Sequence, residues 1–167
     1  AGCTPTVSPR KTTDGKISVS VHFVNAALAY ALESGVDPQR LLRHHRIPPR
    51  LLLEEQARIS VQQFADLLTG AMQAMNDESL GYARRRMPLG TWDMMCHAVI
   101  TCTTLGQALN RYCRFFQLFD GGLLVRLDTD GAEARLVLDS SAAERGAYFA
   151  ELSLLNTHRF ACWLVQE

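Results

Sequence analysis

The chain has 167 residues, of which 47% are apolar and 20% are charged, and its 17 basic and 17 acidic residues leave a formal net charge of zero. This composition excludes a disordered chain and suits one globular domain, because enough apolar surface is present to form a core. It also argues against a free-standing nucleic-acid-binding protein, which normally carries a basic face for the phosphates. No apolar run approaches the length of a membrane span.

The five cysteines suggest neither a disulfide framework nor a zinc site. Their number is odd, and no two of them form a Cys-x-x-Cys pair. Those in apolar helical stretches are expected to pack as small apolar side chains: Cys96, Cys102, Cys113 and Cys162. Because the chain also begins without a signal-peptide pattern, we expect a reducing, cytoplasmic location, with no metal and no cofactor.

The chain begins with a turn-rich segment and continues as helices. Residues 1–20 are predicted to be a flexible arm, and residues 21–167 one domain. Asp37 followed by Pro38 predicts a helix start, because aspartate caps a helix and proline fits its first position. Before it, an amphipathic helix that Gly35 ends is predicted from the spacing of Val24, Ala27, Leu28, Ala31 and Leu32.

Polar residues mark three further helix starts. Ser60 with Gln63, and Thr104 with Gln107, each match a capping box, in which the two side chains and the two backbone N–H groups bond reciprocally. Asp77 predicts the start of a brief helix over residues 77–86, because aspartate is a favourable N-cap residue. The helix after Thr104 carries a wide apolar stripe of Leu105, Ala108, Leu109, Tyr112, Phe116 and Phe119.

Strand patterns follow a Gly-Gly pair at 121–122. Apolar and polar residues alternate over 123–128 and 134–139, and the Thr-Asp-Gly connector at 129–131 predicts a hairpin. Residues 147–165 predict a long helix that is apolar almost all round, which indicates that the domain is C-terminally incomplete. The fold class is therefore α+β, with a mostly helical N-terminal half, then a β-hairpin or small sheet, and a long apolar C-terminal helix.

Four motifs, in this order, resemble one protein family. They read Gly-Val-Asp-Pro-Gln-Arg-Leu-Leu at 35–42, Ile-Ser-Val-Gln-Gln-Phe at 59–64, Asp-Glu-Ser-Leu-Gly at 77–81 and Thr-Leu-Gly-Gln-Ala-Leu at 104–109. The set resembles the N-terminal effector-sensing, arabinose-binding-like domain of AraC-type bacterial transcription regulators. The resemblance implies a domain that binds a small metabolite and controls a separate C-terminal domain with two helix-turn-helix motifs. Nothing in this chain corresponds to that second domain, so DNA is expected as a partner only through it.

Polar side chains set into the apolar helices of residues 90–122 are the candidates for contact with the effector. One arginine could hold an anionic group bidentately, although an arginine with a packed stem can equally stay in water. A histidine there could contact the ligand or be satisfied within the core. We predict a ligand site of Trp92, His97, Arg111, Tyr112, Arg114 and Phe116. An anionic or zwitterionic metabolite would offset the cost of burying an arginine.

Two other classes of function remain as alternatives. A thiol-dependent enzyme could pair Cys113 with His158, but no nucleophile elbow, metal-binding helix or phosphate loop is present. A small DNA-binding helical module could occupy residues 35–53, although the Pro-Pro step at 48–49 and the few basic residues nearby are unfavourable. We therefore expect a regulatory domain and not an enzyme. It should bind no membrane, and its uncovered last helix could form a homodimer.

Overall fold

The computed structural model describes residues 18–119, 124–139 and 147–166. In this part of the chain the elements are β1 (Ser18–Ser20), α1 (Val21–Leu28), α2 (Pro38–His44), a 3-10 helix (Pro49–Leu53), β2 (Arg58–Ser60), α3 (Val61–Met75), α4 (Thr91–Val99), α5 (Leu105–Phe116), β3 (Leu124–Asp130), β4 (Glu133–Asp139) and α6 (Ala147–Val165). The predicted α+β class is confirmed, and the C-terminal helix is present. The predicted arm lies outside the described residues up to position 17, and its last three residues form β1.

Two short strands anchor the first helices. β1 and β2 pair antiparallel, with Ser18 opposite Ser60. The guanidinium of Arg58 donates to the hydroxyl of Ser18 at 2.7 Å and also to its carbonyl. Ser20 caps α1 and Ser60 caps α3, so each strand continues directly into a helix. The predicted capping box at Ser60 is confirmed: Ser60 Oγ accepts from the N–H of Gln63 at 3.1 Å, and Gln63 Oε1 accepts from the N–H of Ser60 at 3.3 Å.

The N-terminal helices enclose the first of two apolar cores. Asp37 caps α2 as predicted, because its Oδ1 accepts from the N–H of Gln39 at 2.9 Å. Regular helix α1 ends at Leu28, earlier than the spacing predicted, and turns lead from there to Gly35, which has a φ of +80°. The buried residues of this first core are Val24, Ala27, Leu28, Ala31, Leu42, Ile47, Ile59, Leu67, Ala71, Met75, Leu80 and Tyr82.

The second core lies between α4, α5, the hairpin and α6. Thr104 caps α5 as predicted, with its Oγ1 accepting from the N–H of Gln107 at 3.2 Å. The second bond of the predicted capping box is not formed as expected. The side chain of Gln107 accepts from the N–H of Thr103, and not from that of Thr104. The predicted hairpin is confirmed, and β3 and β4 pair around a turn in which Gly131 has a φ of +57°. The buried residues of this second core are Met95, Val99, Ala108, Tyr112, Cys113, Val125 and Phe160.

Helix α6 contacts both cores. Near its start, Tyr148 and Phe149 pack against the first core. Near its end, Phe160 is buried in the second core, and Leu164 packs against it. The middle of α6 therefore passes the space between the two cores.

Candidate functional site

The loop between α3 and α4 is organised by one buried carboxylate. Asp77 is 1% exposed. Its Oδ1 accepts from the N–H and hydroxyl of Ser79, at 2.9 and 2.7 Å, and from the N–H of Met87 at 2.8 Å. Its Oδ2 accepts from the N–H of Gly81 at 2.9 Å. The brief helix predicted over 77–86 is wrong, because this side chain bonds to a closed series of turns and not to the first turn of a helix.

The next residue in this loop, Glu78, fixes the start of α4. Its Oε1 accepts from the N–H of Gly90 at 2.6 Å, and its Oε2 accepts from the N–H of Trp92 at 2.9 Å. Gly90 is the N-cap residue of α4, with a φ of +90°, and has no side chain with which to cap the helix. The carboxylate of Glu78 does this instead, and its charge is favourable at a helix N-terminus.

A cluster of aromatic side chains extends from α4 across α5 to α6. The Tyr112 ring lies 4.9 Å from that of Phe116, and the Trp92 ring lies 5.5 Å from that of Phe160, measured between centroids. The hydroxyl oxygens of Tyr112 and Thr157 are 2.6 Å apart, which joins α5 to α6. Burial raises the pKa of Tyr112 to about 12, although the hydrogen bond with Thr157 acts in the opposite direction.

A cavity of about 430 Å³ lies between the two cores. Its walls are mostly apolar, and the lining includes the polar residues Glu78, Ser153 and Asn156. A partly enclosed apolar space with a few polar groups is the usual form of a small-molecule site, and this volume is within the usual range. The lining residues are Met72, Glu78, Met87, Trp92, Tyr112, Phe116, Phe119, Val125, Phe149, Leu152, Ser153 and Asn156.

Comparison with known protein families identifies the domain that contains this cavity. The model of the arabinose-binding domain of AraC transcription regulators, an N-terminal domain, matches residues 35–167. The chain belongs to this family. This match confirms the resemblance found in the sequence. The chain is therefore a ligand-sensing regulatory domain, and its family is not a family of enzymes. A search of curated proteins found no match to the chain.

Three of the six site residues predicted for this AraC-type domain line the cavity. Trp92 lies at its edge, 38% exposed, while Tyr112 and Phe116 form part of its wall. The rings of Trp92 and Tyr112 both lie near that of Phe160 in α6, and the ring of Phe116 lies beside that of Tyr112. The positions of Tyr112 and Phe116 agree with the stripe of apolar residues predicted along α5.

The other three predicted site residues lie on the outer surface. The side chain of His97 is 69% exposed, and its Nδ1 is 2.9 Å from the carbonyl oxygen of Asp93. Arg111 donates to the carbonyl of Ala98 at 2.7 Å and so joins α5 to the end of α4. Arg111 and Arg114 are both exposed and line a separate, shallow surface hollow.

Most of the other lining residues of the cavity were not predicted from the sequence. Met72 was not among the predicted site residues, and Glu78 lies in the segment of 77–86 that was predicted to be a brief helix. The signal that could have been used is in α6. There, Ser153 and Asn156 are spaced three residues apart, which places both on one face of the helix.

The described residues offer little support for the two alternative functions. Burial raises the pKa of the Cys113 thiol, which is the opposite of what a catalytic thiolate requires. His158 lies instead 3.9 Å from the sulfur of Cys162. Residues 35–53 form α2 and a 3-10 helix, not two α-helices. In residues 18–119, 124–139 and 147–166 there is no cluster of three side chains that could bind a metal ion. No helix in these ranges is long and apolar enough to cross a bilayer.

Proposed function

We propose that this sensing domain binds a small, largely apolar metabolite in the cavity between its two cores. The supporting observation is the origin of the cavity walls, because Met72 and Phe149 belong to the first core region, whereas Tyr112 and Phe116 belong to the second. A ligand in this position contacts both. Trp92, Tyr112 and Phe116 are the proposed ligand contacts, and we assign the outer residues no contact with it.

A ligand that binds between the two cores can affect a neighbouring domain by changing how the two cores are arranged relative to each other. A ligand that packs against both cores favours the arrangement in which its contacts are best, by as much as its affinities for the two arrangements differ. A hundredfold difference corresponds to about 2.7 kcal/mol, which is within the usual range of coupling between sites. Helix α6 contacts both cores and would carry the shift.

In this proposal the output is control of a separate helix-turn-helix domain that binds DNA. The domain itself has a net charge of zero, so contact with DNA is left to that partner domain. Such a regulator would act in the bacterial cytoplasm. Self-association through α6 is part of the proposal, supported by the 53% exposure of Leu155 and the 59% exposure of Trp163.

Two matched substitutions on α6 test the cavity as the binding site. Ser153→Phe adds an aromatic ring to the lining, whereas Leu154→Phe adds one at a neighbouring position that is 44% exposed. Nile red, a neutral apolar dye, should bind the wild type with one molecule per chain, as measured by its fluorescence. Ser153→Phe should lose this binding, and Leu154→Phe should keep it. Equal binding by both variants, with both folded by circular dichroism, would contradict the proposal.

The regulatory half of the proposal needs the complete regulator. With a reporter gene under its control, the Ser153→Phe regulator should keep its operator binding without effector and lose its response to effector. The Leu154→Phe regulator should respond like the wild type. A normal response from the Ser153→Phe regulator would show that the cavity does not control transcription.

A further inference from the structure

Among the described residues, one charged side chain lines the cavity, and it is an acid. Glu78 is one of the lining residues, while Arg111 and Arg114 line a separate hollow on the outer surface. No basic side chain in residues 18–119, 124–139 or 147–166 forms an ion pair with Glu78. The charge that the described lining residues present to a ligand is therefore negative.

The backbone donors at the start of α4 use only part of the hydrogen-bonding capacity of Glu78. An ionised carboxylate has about four lone-pair positions. The N–H groups of Gly90 and Trp92 occupy one position on each oxygen. Each oxygen therefore keeps capacity for a further bond, and Glu78 is one of the residues that line the cavity. The two existing bonds also hold the carboxylate in place before any ligand arrives, which reduces the entropy lost on binding.

The remaining walls suit a positively charged ligand with an apolar body. Five aromatic side chains line the same space: Trp92, Tyr112, Phe116, Phe119 and Phe149. The faces of aromatic rings attract a cation through their quadrupole, and most strongly where water is excluded. They also provide apolar surface for a compact hydrocarbon group.

We infer that the effector is an amphipathic amine, in which a protonated amino group on a compact apolar body binds the carboxylate of Glu78. The apolar body packs against the aromatic side chains, and Ser153 and Asn156 are further polar residues of the lining. This inference rests on the proposed function of the cavity and adds the charge of the ligand. It differs from the anionic or zwitterionic effector predicted from the sequence, because the carboxylate of Glu78 would repel an anion and none of the described arginines lines the cavity to hold one.

A matched series of three small compounds tests the inference. 3-Phenylpropylamine, 3-phenylpropanol and 3-phenylpropanoate share one apolar body and differ in the charge of the head group. At neutral pH, calorimetric titration should give an affinity at least about tenfold higher for the amine than for the alcohol, which is the ratio that one hydrogen bond to a charged group contributes. The acid should bind more weakly than the alcohol.

A charge-removing variant tests whether Glu78 is the cause. In Glu78→Gln the preference for the amine over the alcohol should disappear, while Glu151→Gln, a matched change at an exposed position of α6, should keep it. The ratio of the two affinities is the readout, so a general loss of stability does not imitate the effect. If Glu78→Gln does not fold, the wild-type series is decisive.

The outcomes separate this inference from the proposed function. Equal affinities for the amine and the alcohol, or a preference for the acid, would overturn the inference while leaving the cavity as the ligand site. Binding of all three compounds by Ser153→Phe, with wild-type affinities, would instead place them outside the cavity and contradict both. Failure of every compound to bind at millimolar concentrations would also contradict both.

Discussion

The buried carboxylate of Asp77 should contribute more to stability than any other single acid of the first half of the chain. It accepts four hydrogen bonds, and these hold the loop that positions Glu78 and Met87 at the cavity. Asp77→Asn keeps the size of the side chain and removes its charge. We therefore expect this one substitution to loosen the loop and, with it, the adjoining wall of the cavity.

The expected loss follows from the geometry of the four bonds. In the variant the amide oxygen can replace Oδ1, but the amide nitrogen then faces the N–H of Gly81, so that bond is lost at a cost of about 1 kcal/mol. The three bonds to Oδ1 lose their charge assistance, which costs roughly 0.5–1 kcal/mol each, because charged hydrogen bonds are about twice as strong as neutral ones. The free energy of unfolding should fall by about 3 kcal/mol, and the melting temperature by roughly 6–12 °C.

Urea unfolding followed by circular dichroism measures this loss directly. The matched control is Asp66→Asn in α3, where the carboxylate is exposed and accepts one bond from Gln62 at 2.8 Å. The control should change the free energy of unfolding by less than about 0.5 kcal/mol. A loss below about 1 kcal/mol for Asp77→Asn would refute the reasoning, because it would mean that the four bonds do not organise the loop.

Three further predictions concern the helix caps, the buried Tyr112 and helix α6. Ser60→Ala and Thr104→Ala should each lower the free energy of unfolding by about 1 kcal/mol in urea, and no change in either would mean that these helices begin elsewhere. Since burial raises the pKa of Tyr112 from 10.0 to about 12, its contribution to stability should be complete below pH 10 and lost between pH 10 and 12. Tyr112→Phe should reduce this alkaline loss in thermal unfolding, and an unchanged pH profile would contradict the assignment. Trp163→Glu should shift the chain from dimer to monomer in sedimentation at tens of micromolar, whereas a wild type that is already a monomer would contradict association through α6.

Features with a local signal were predicted correctly from the sequence. The caps at Asp37, Ser60 and Thr104 bond to an N–H two or three residues along the chain, so the residues that decide them are adjacent in sequence. The hairpin around Gly131 has the same character. In each of these cases, short-range geometry is sufficient and the packing of the rest of the domain matters little.

The features that position the cavity have no such local signal. Glu78 caps a helix that begins more than ten residues later, and Asp77 bonds to Met87 across the same loop. Both depend on how the loop folds back, which spacing does not encode. Likewise, the buried residues of α4 include Met95 and Val99, so His97, two residues from each, is directed to the opposite side of the helix. The sequence places His97 in an apolar stretch, but the rotation of the helix is set by packing.

The central claim, that a ligand binds between the two cores, can be tested most directly through the methionines. The chain has five, and two of them, Met72 and Met87, line the cavity. The others are the exposed Met94 and the buried Met75 and Met95 of the two cores. With ¹³C-labelled methionine methyl groups and 3-phenylpropylamine bound, nuclear Overhauser effects should connect the phenyl ring to the methyls of Met72 and Met87 and not to that of Met94. Contacts to Met94, with none to Met72 or Met87, would place the ligand on the surface and contradict the account.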